Sequence, residues 1–161
     1  VKGRPPAAPV LLLVDSIEMA AGLSKNLPAS FHALAKRYWP GPLTLVVEAT
    51  ERIPAIVTAN IGRLGLRLPA AAIPQALIGA LGSPITGTSA NRSGRSECRS
   101  AAEVEAALGD TLPLILDGGP SQETIPSTVI NLRSESWELI REGAIRRTAV
   151  EAFFRRMEAG K

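Results

Sequence analysis

The sequence of 161 residues is 45% apolar and 20% charged, which supports one globular core and excludes a disordered or fibrous chain. A single cysteine, Cys98, excludes a disulfide framework and a cysteine-based metal site, and no apolar run reaches the length of a membrane span. The formal net charge of +3 is too mild to indicate nucleic-acid binding by itself.

In chain order, Val10 to Val14 is a short apolar run after Pro9 and predicts a buried strand. Ser16 to Leu27 is a helix candidate ended by Pro28. Phe31, Leu34, Ala35 and Tyr38 follow helical spacing, with Ser30 as cap and Pro40 as stop. Leu43 to Glu48 is strand-like. Arg63 to Leu68 alternates strictly, with Leu64, Leu66 and Leu68 on one face and Arg63, Gly65 and Arg67 on the other. Ile73 to Leu81 predicts a helix with Gly82 past its end.

Pro84 to Thr88 predicts a short strand entering a polar loop. Ser100 and Glu103 form a capping box for a helix ending at Gly109. Leu112 to Leu116, Ser127 to Leu132 and Trp137 to Arg141 predict three strands, and Gly118 to Pro126 is a loop within the domain. Thr148 and Glu151 form a second capping box for a last helix that turns Val150, Phe153, Phe154 and Met157 inward. Strands first alternate with helices and then cluster, so the expected fold class is α/β (α+β): a single domain over 1–161, with a twisted mixed sheet and flanking helices.

Several segments have the residue types that anion chemistry needs. Lys2-Gly3-Arg4-Pro5 sets two cations around a glycine just before a strand; it is either a phosphate contact or a solvated terminus. Tyr38 to Thr44 is a helix stop and rigid turn that sets the angle of the following strand. Arg63-Leu64-Gly65-Leu66-Arg67 leaves a gap between two guanidiniums, suited to a carboxylate or phosphate or simply exposed to water. Thr86 to Gly94 is a run of small hydroxyl, amide and glycine residues that lets backbone N–H groups approach a phosphate, without the lysine of a P-loop. Ser127 opens a strand and Arg141 closes one. Four of the 18 basic residues are Lys and the rest Arg, a bias that suits phosphate and that GC-rich coding also produces. His32 and Cys98 carry packing or incidental roles, and no His, Asp or Glu cluster has metal-ligand spacing, so no metal site is expected on the protein.

Taken together, Lys2-x-Arg4-Pro5, Trp39-Pro-Gly-Pro-Leu-Thr44, Arg67-x-Pro69, Ser89-Ala-Asn-x-Ser-Gly94, Pro126-Ser-Thr-Val129 and Ile140-Arg-x-Gly143 resemble, in order, the motifs of the YrdC/TsaC family of threonylcarbamoyl-adenylate synthases. The resemblance implies a YrdC-like fold, related to the RibB type, around a positively charged cavity. It implies a nucleotidyltransferase that makes threonylcarbamoyl-AMP and pyrophosphate from L-threonine, bicarbonate and ATP, with Mg²⁺ on the nucleotide. Such an enzyme is cytoplasmic and soluble; it meets tRNA indirectly, through a threonylcarbamoyl-transferase complex. Carried over by position, Lys2, Arg4, Ser89 and Asn91 are the catalytic set. ATP contacts are Lys2, Arg4, Arg63, Ser89, Asn91 and Arg141, and threonine contacts are Arg67, Gly87 and Ser127.

Three departures accompany the resemblance. The family's opening strand and helix, with a Pro-Thr-Glu-Thr-like stretch, are missing, and Val1 lies inside a motif, so the expected N-terminus lies outside this sequence. Leu13 stands where some relatives carry histidine, and Glu97 where others carry a nucleotide-contacting serine, unfavourable unless Arg95 or Arg99 offsets it. Two further functional readings stay open from residues alone: a non-catalytic RNA-binding module using Arg92, Arg95 and Arg99, and a carbamoyl-adenylate domain of a maturation enzyme.

Overall fold

The computed structural model describes residues 9–121 and 125–160. The elements are β1 (Leu11–Leu13), α1 (Ile17–Gly22), β2 (Ser24–Lys25), α2 (Ala29–Tyr38), β3 (Leu43–Ala49), β4 (Arg63–Arg67) and α3 (Ala72–Leu81). They continue with β5 (Ile85–Gly87), α4 (Ala101–Leu108), β6 (Thr128–Leu132), β7 (Trp137–Arg141) and α5 (Arg147–Ala159). The strands form one mixed, open sheet of order β5-β1-β4-β3-β6-β7, with β2 beside β3. Pairs β1–β4 and β3–β6 are parallel and the others antiparallel.

Alternation along the strands makes the two faces of this sheet chemically different. Leu43, Leu45, Val47 and Ala49 of β3 join Leu64 and Leu66 of β4 and Ile130 and Leu132 of β6 on one face. Ala20, Phe31, Leu34, Ala35, Val150, Phe153 and Phe154 from α1, α2 and α5 close over them in one cluster. Trp137 stacks on Phe154 with ring centroids 4.3 Å apart. The opposite face carries Arg63, Gly65 and Arg67 from β4, and their neighbours there are mostly polar or half-buried.

The structure corrects four sequence expectations. The helix predicted over 16–27 stops at Gly22, because Ser24 and Lys25 pair with Ala49 and Glu48 of β3. Ser24 Oγ donates to Ala20 O at 2.8 Å, and Lys25 lies between Glu48 and Glu51, so tertiary pairing overrides the local helical pattern. α2 begins after Pro28 without a side-chain cap, one residue before Ser30 is reached. α5 begins after Arg146, which places Thr148 inside the helix; Glu151 meets Arg147 at 3.9 Å and closes no capping box.

The fourth correction is the largest. Residues 112–116 are irregular: among the described residues no strand pairs with them, and Leu114 and Leu116 are 71% and 56% exposed. A short apolar run makes a strand only when a neighbour takes its backbone groups. By contrast, Ser100 caps α4 as expected, with Glu103 N donating to its Oγ at 3.3 Å; the Glu103 carboxylate reaches back to Arg99 N, one residue earlier than the usual partner. Gly82 ends α3 in the left-handed region, φ 63°, as its position after the helix demands.

These differences lead to a stability test. Leu45→Ala, inside the sealed face, is expected to lose about 2–5 kcal/mol in urea unfolding. Leu116→Ser is expected to change stability by no more than about 0.5 kcal/mol, as at an exposed site. Equal losses for the two would mean that 112–116 is packed after all.

Candidate functional site

The polar face can be read across the sheet row by row. Leu13 pairs with Ile85 of β5 and with Arg67 of β4. Extending the Leu45↔Leu66 register by one step sets Thr44 of β3 beside Arg67, and Thr44 pairs with Val129 of β6, which pairs with Arg141 of β7. A single row thus runs Ile85, Leu13, Arg67, Thr44, Val129, Arg141. Adjacent strands are about 4.8 Å apart, so the backbones of Arg67 and Arg141 stand about 14 Å apart with Thr44 and Ser127 between them.

Each of these side chains is held by the turn and strand ends around it. The Trp39-Pro40-Gly41-Pro42 turn, whose Trp39–Pro40 peptide is cis, is tied down on three sides. Trp39 Nε1 donates to Leu43 O at 2.7 Å, Gly41 N to Leu68 O at 2.9 Å, and Thr128 N to Pro42 O at 2.9 Å. Gly41 O in turn accepts from Arg67 Nε at 2.9 Å, which fixes the plane of that guanidinium. The turn therefore does more than set a strand angle: it joins the end of β4 to the start of β6.

Ser127 is held from the other side. Arg141 donates through Nε and Nη2 to Ser127 O, at 3.1 and 2.8 Å, and through Nη2 to Ser127 Oγ at 3.1 Å. Thr44 Oγ1 lies 2.9 Å from the same Ser127 Oγ. Beneath them the fully buried Thr128 hydroxyl donates to Ile145 O and accepts from the N–H groups of Gly143 and Ile145. A Cβ at Gly143 would stand 2.2 Å from Pro126 O and 2.6 Å from Ser127 C, so only glycine lets the β7–α5 connection approach this closely.

The predicted site residues divide into groups. Arg67, Ser127 and Arg141 come together around Thr44. Gly87 lies on the same face on the edge strand, where a Cβ would meet Leu13 Cγ at 2.9 Å, so Leu13 is packed against this glycine. β5 runs from beside Leu13 to beside Leu11, so the following loop leaves from the end of the sheet away from the Arg67 row. In that loop Ser89 Oγ donates to Asn91 Oδ1 at 2.7 Å, and Asn91 Nδ2 to Arg95 O at 2.6 Å. Arg92 Nε donates to Ala107 O and Cys98 N to Ala90 O, which fasten the loop to α4 and to itself. Glu97 is exposed and pairs with neither Arg95 nor Arg99 among the described residues. Lys2 and Arg4 lie outside the described residues.

Arg63 sits apart. Its Nη2 donates to Val46 O, Asn131 Oδ1 and Leu132 O at 3.1, 2.6 and 2.5 Å. Burial, and then the nearby Arg133, pull its pKa below the ordinary arginine value, with Glu48 acting against them. It borders a separate cavity of about 200 Å³ with Asn26, Glu48, Arg133 and Ser134. The space beside Gly65 is bordered by the Thr44 methyl and Leu11, and the two flanking guanidiniums are each tied to different acceptors. Sequence reasoning gave Thr44, Gly41 and Thr128 no site role. The signal for the first two was the Trp-Pro-Gly-Pro-Leu-Thr run itself, whose last residue falls on the polar face.

Against known proteins, the family model Sua5_yciO_yrdC, described as "Telomere recombination", matches residues 1–143. The chain is 37% identical over 144 residues to a threonylcarbamoyl-AMP synthase of Pyrococcus abyssi, covering 89% of this chain and 42% of that protein. It is 33% identical over 152 residues to the protein of the same name from Bacillus subtilis, covering 94% and 44%. It thus spans less than half the length of these two relatives. The crystal structure of P. abyssi Sua5 complexed with L-threonine superposes with a TM-score of 0.89 at 36% identity, over 94% of this chain and 45% of that one.

The two glycines of this face separate by substitution. Gly143→Ala is expected to destabilise the protein by about 3 kcal/mol in urea unfolding, because its Cβ meets backbone. Gly65→Ala, whose Cβ would meet nothing nearer than 3.6 Å, is expected to stay within about 1 kcal/mol of the parent. The reverse order would disprove this packing of the 126–128 and 143–145 segments.

Proposed function

This chain belongs to the Sua5–YciO–YrdC family, and on that premise we propose that it makes threonylcarbamoyl-AMP from L-threonine, bicarbonate and Mg²⁺-bound ATP, releasing pyrophosphate. The observation that carries the reading is the row in which Arg67 and Arg141 flank the Thr44 and Ser127 hydroxyls on a rigid sheet. Fixed cations at either side of small hydroxyls suit a ligand with a carboxylate at one end and a phosphoryl group at the other.

In this reading the threonine amino nitrogen bonds to the bicarbonate carbon, a carbon–oxygen bond breaks and the oxygen leaves as water, which gives a carbamate. A carbamate oxygen then bonds to the α-phosphorus, and the bond from that phosphorus to the β-phosphate bridging oxygen breaks, so pyrophosphate leaves with the electron pair. Arg67 binds the threonine carboxylate, with Ser127 as a second threonine contact and Gly87 supplying backbone beside it. Arg141 faces the phosphoryl end of this row, and the family resemblance alone adds Ser89 and Asn91, from the loop after β5, with Lys2 and Arg4 as further nucleotide contacts. Negative charge moves from carbamate to phosphate, and arginines already fixed by backbone acceptors stabilise it without reorganising. Alignment of the two reactants supplies much of the remaining acceleration.

Among the described residues no three His, Cys, Asp or Glu side chains form a metal-ligand group. In this scheme Mg²⁺ arrives on the triphosphate and keeps most of its waters. Arg63, whose Nη2 is committed to three acceptors, orders the far end of the face in this scheme. The product passes in the cytoplasm to a complex that transfers the threonylcarbamoyl group to tRNA. Among the described residues no helix is long and apolar enough to cross a membrane.

The test is pyrophosphate release that depends on both L-threonine and bicarbonate, together with calorimetric binding of each ligand. Arg67→Ala is expected to weaken L-threonine by ~2–5 kcal/mol, the cost of losing one partner of a charge-assisted pair, and to leave ATP nearly unchanged. An equal loss for both ligands would remove Arg67 from the carboxylate. ATP consumption indifferent to threonine would remove the activity.

A further inference from the structure

Thr44 divides the candidate site into a polar side and an apolar side. Its Oγ1 lies 2.9 Å from Ser127 Oγ, toward β6. Its Cγ2 methyl is turned toward β4, 3.6 Å from the point where a Cβ on Gly65 would stand. Leu11 Cδ1 lies 3.7 Å from the same point, on the β1 side. Gly65, with no side chain of its own, therefore leaves a hollow walled by carbon: the Thr44 methyl on one side and Leu11 on the other. Beyond it Leu13, the register partner of Arg67, packs together with Leu11 against Gly87.

Alternation along β1 produces this strip. Leu12 and Val14 enter the helix-covered core, so Leu11 and Leu13 fall on the opposite face. Leu11, Leu13, Gly65 and Gly87 are half-buried there, which leaves the strip open to a ligand. Arg67 follows Gly65 by two residues, about 7 Å along β4. An amino acid with its carboxylate at Arg67 thus meets hydroxyls on the β6 side and carbon on the β1 side. A charged group in the hollow would lose water and gain no partner, whereas a methyl group gains contact on both walls.

We infer that the hollow over Gly65 receives the side-chain methyl of the amino-acid substrate, which makes Gly65 and Leu11 specificity-determining residues. This deepens the proposed function and rests on it for the identity of the amino acid. L-threonine carries one hydroxyl and one methyl on Cβ, and the two sides of Thr44 offer a place for each: the hydroxyl toward Ser127, the methyl into the hollow. L-serine leaves the hollow empty. L-allo-threonine, whichever way it turns, places only one of the two groups. A single methyl in a fitted apolar pocket is worth about 10–200-fold in discrimination.

The experiment measures dissociation constants of L-threonine, L-serine, L-allo-threonine, L-2-aminobutyrate and ATP in the parent, Gly65→Ala and Leu11→Ala. The parent is expected to bind L-threonine at least about tenfold more tightly than L-serine or L-allo-threonine. Gly65→Ala puts a methyl of its own into the hollow. It is expected to weaken L-threonine about tenfold, and equally L-2-aminobutyrate, which keeps the methyl without the hydroxyl. L-serine and ATP are expected to change less than about twofold in this variant, which also shows that it is folded. Leu11→Ala removes one wall and is expected to weaken L-threonine about threefold with L-serine within about twofold.

Equal affinity of the parent for L-threonine and L-serine overturns the inference while leaving the proposed function intact. So does a Gly65→Ala protein that keeps its L-threonine affinity, or one that loses L-serine as strongly as L-threonine. The parent's own ranking of the four amino acids decides the matter even without a variant. A parent that binds none of them overturns the proposed function, and the inference with it.

Discussion

Register between β3, β4 and β6 is the constraint on which the rest depends. Thr44 pairs with Val129, and Leu45 faces both Leu66 and Ile130. A slip of one residue in any of these pairings would turn Arg67, Thr44 or Ser127 into the helix-covered face and expose a leucine in its place. The sealed core of Leu43, Leu45, Leu64, Leu66 and Ile130, all fully buried, is what makes such a slip costly. Hydrophobic burial on one side of the sheet thereby fixes guanidiniums and hydroxyls on the other.

The same economy of parts recurs at the strand ends. Arg67 and Arg141 both spend donors on backbone carbonyls, Gly41 O and Ser127 O. Those bonds cost the arginines freedom before any ligand arrives, which lowers what ordering remains on binding. The segments that supply these carbonyls are themselves sewn together, Pro42 to Thr128 and Pro126 to Ala144. Gly143 allows this because its hydrogen fits where any Cβ would overlap the Pro126 carbonyl. A site with few ionisable bases can work in this way if its donors are already aimed.

Arg63 illustrates how one alternating strand serves two purposes. It and Arg67 project from the same face of β4, four residues and about 13 Å apart. Arg67 faces the row with Thr44 and Arg141, while Arg63 ties Val46, Asn131 and Leu132 together at the other end. In sequence they are indistinguishable as cations beside Gly65. Only the neighbouring strands separate a guanidinium that orders the sheet from one that borders the candidate site.

The linear order of residues determined the strands with clear alternation, the helices with clear period, the mixed sheet and the motifs that mark the family. It did so because periodicity and turn chemistry act over a few residues. It failed where distant partners decide. Residues 112–116 are an apolar run that pairs with no strand among the described residues, Ser24 and Lys25 leave a helical pattern to join β3, and Thr148 lies inside the helix it was expected to cap. The meeting of Thr44 with Ser127 spans 83 residues of chain, and no local rule contains it. Tertiary structure alone decided which hydroxyl faces which guanidinium, because that depends on strand order and register, and those are set by the packing of the opposite face.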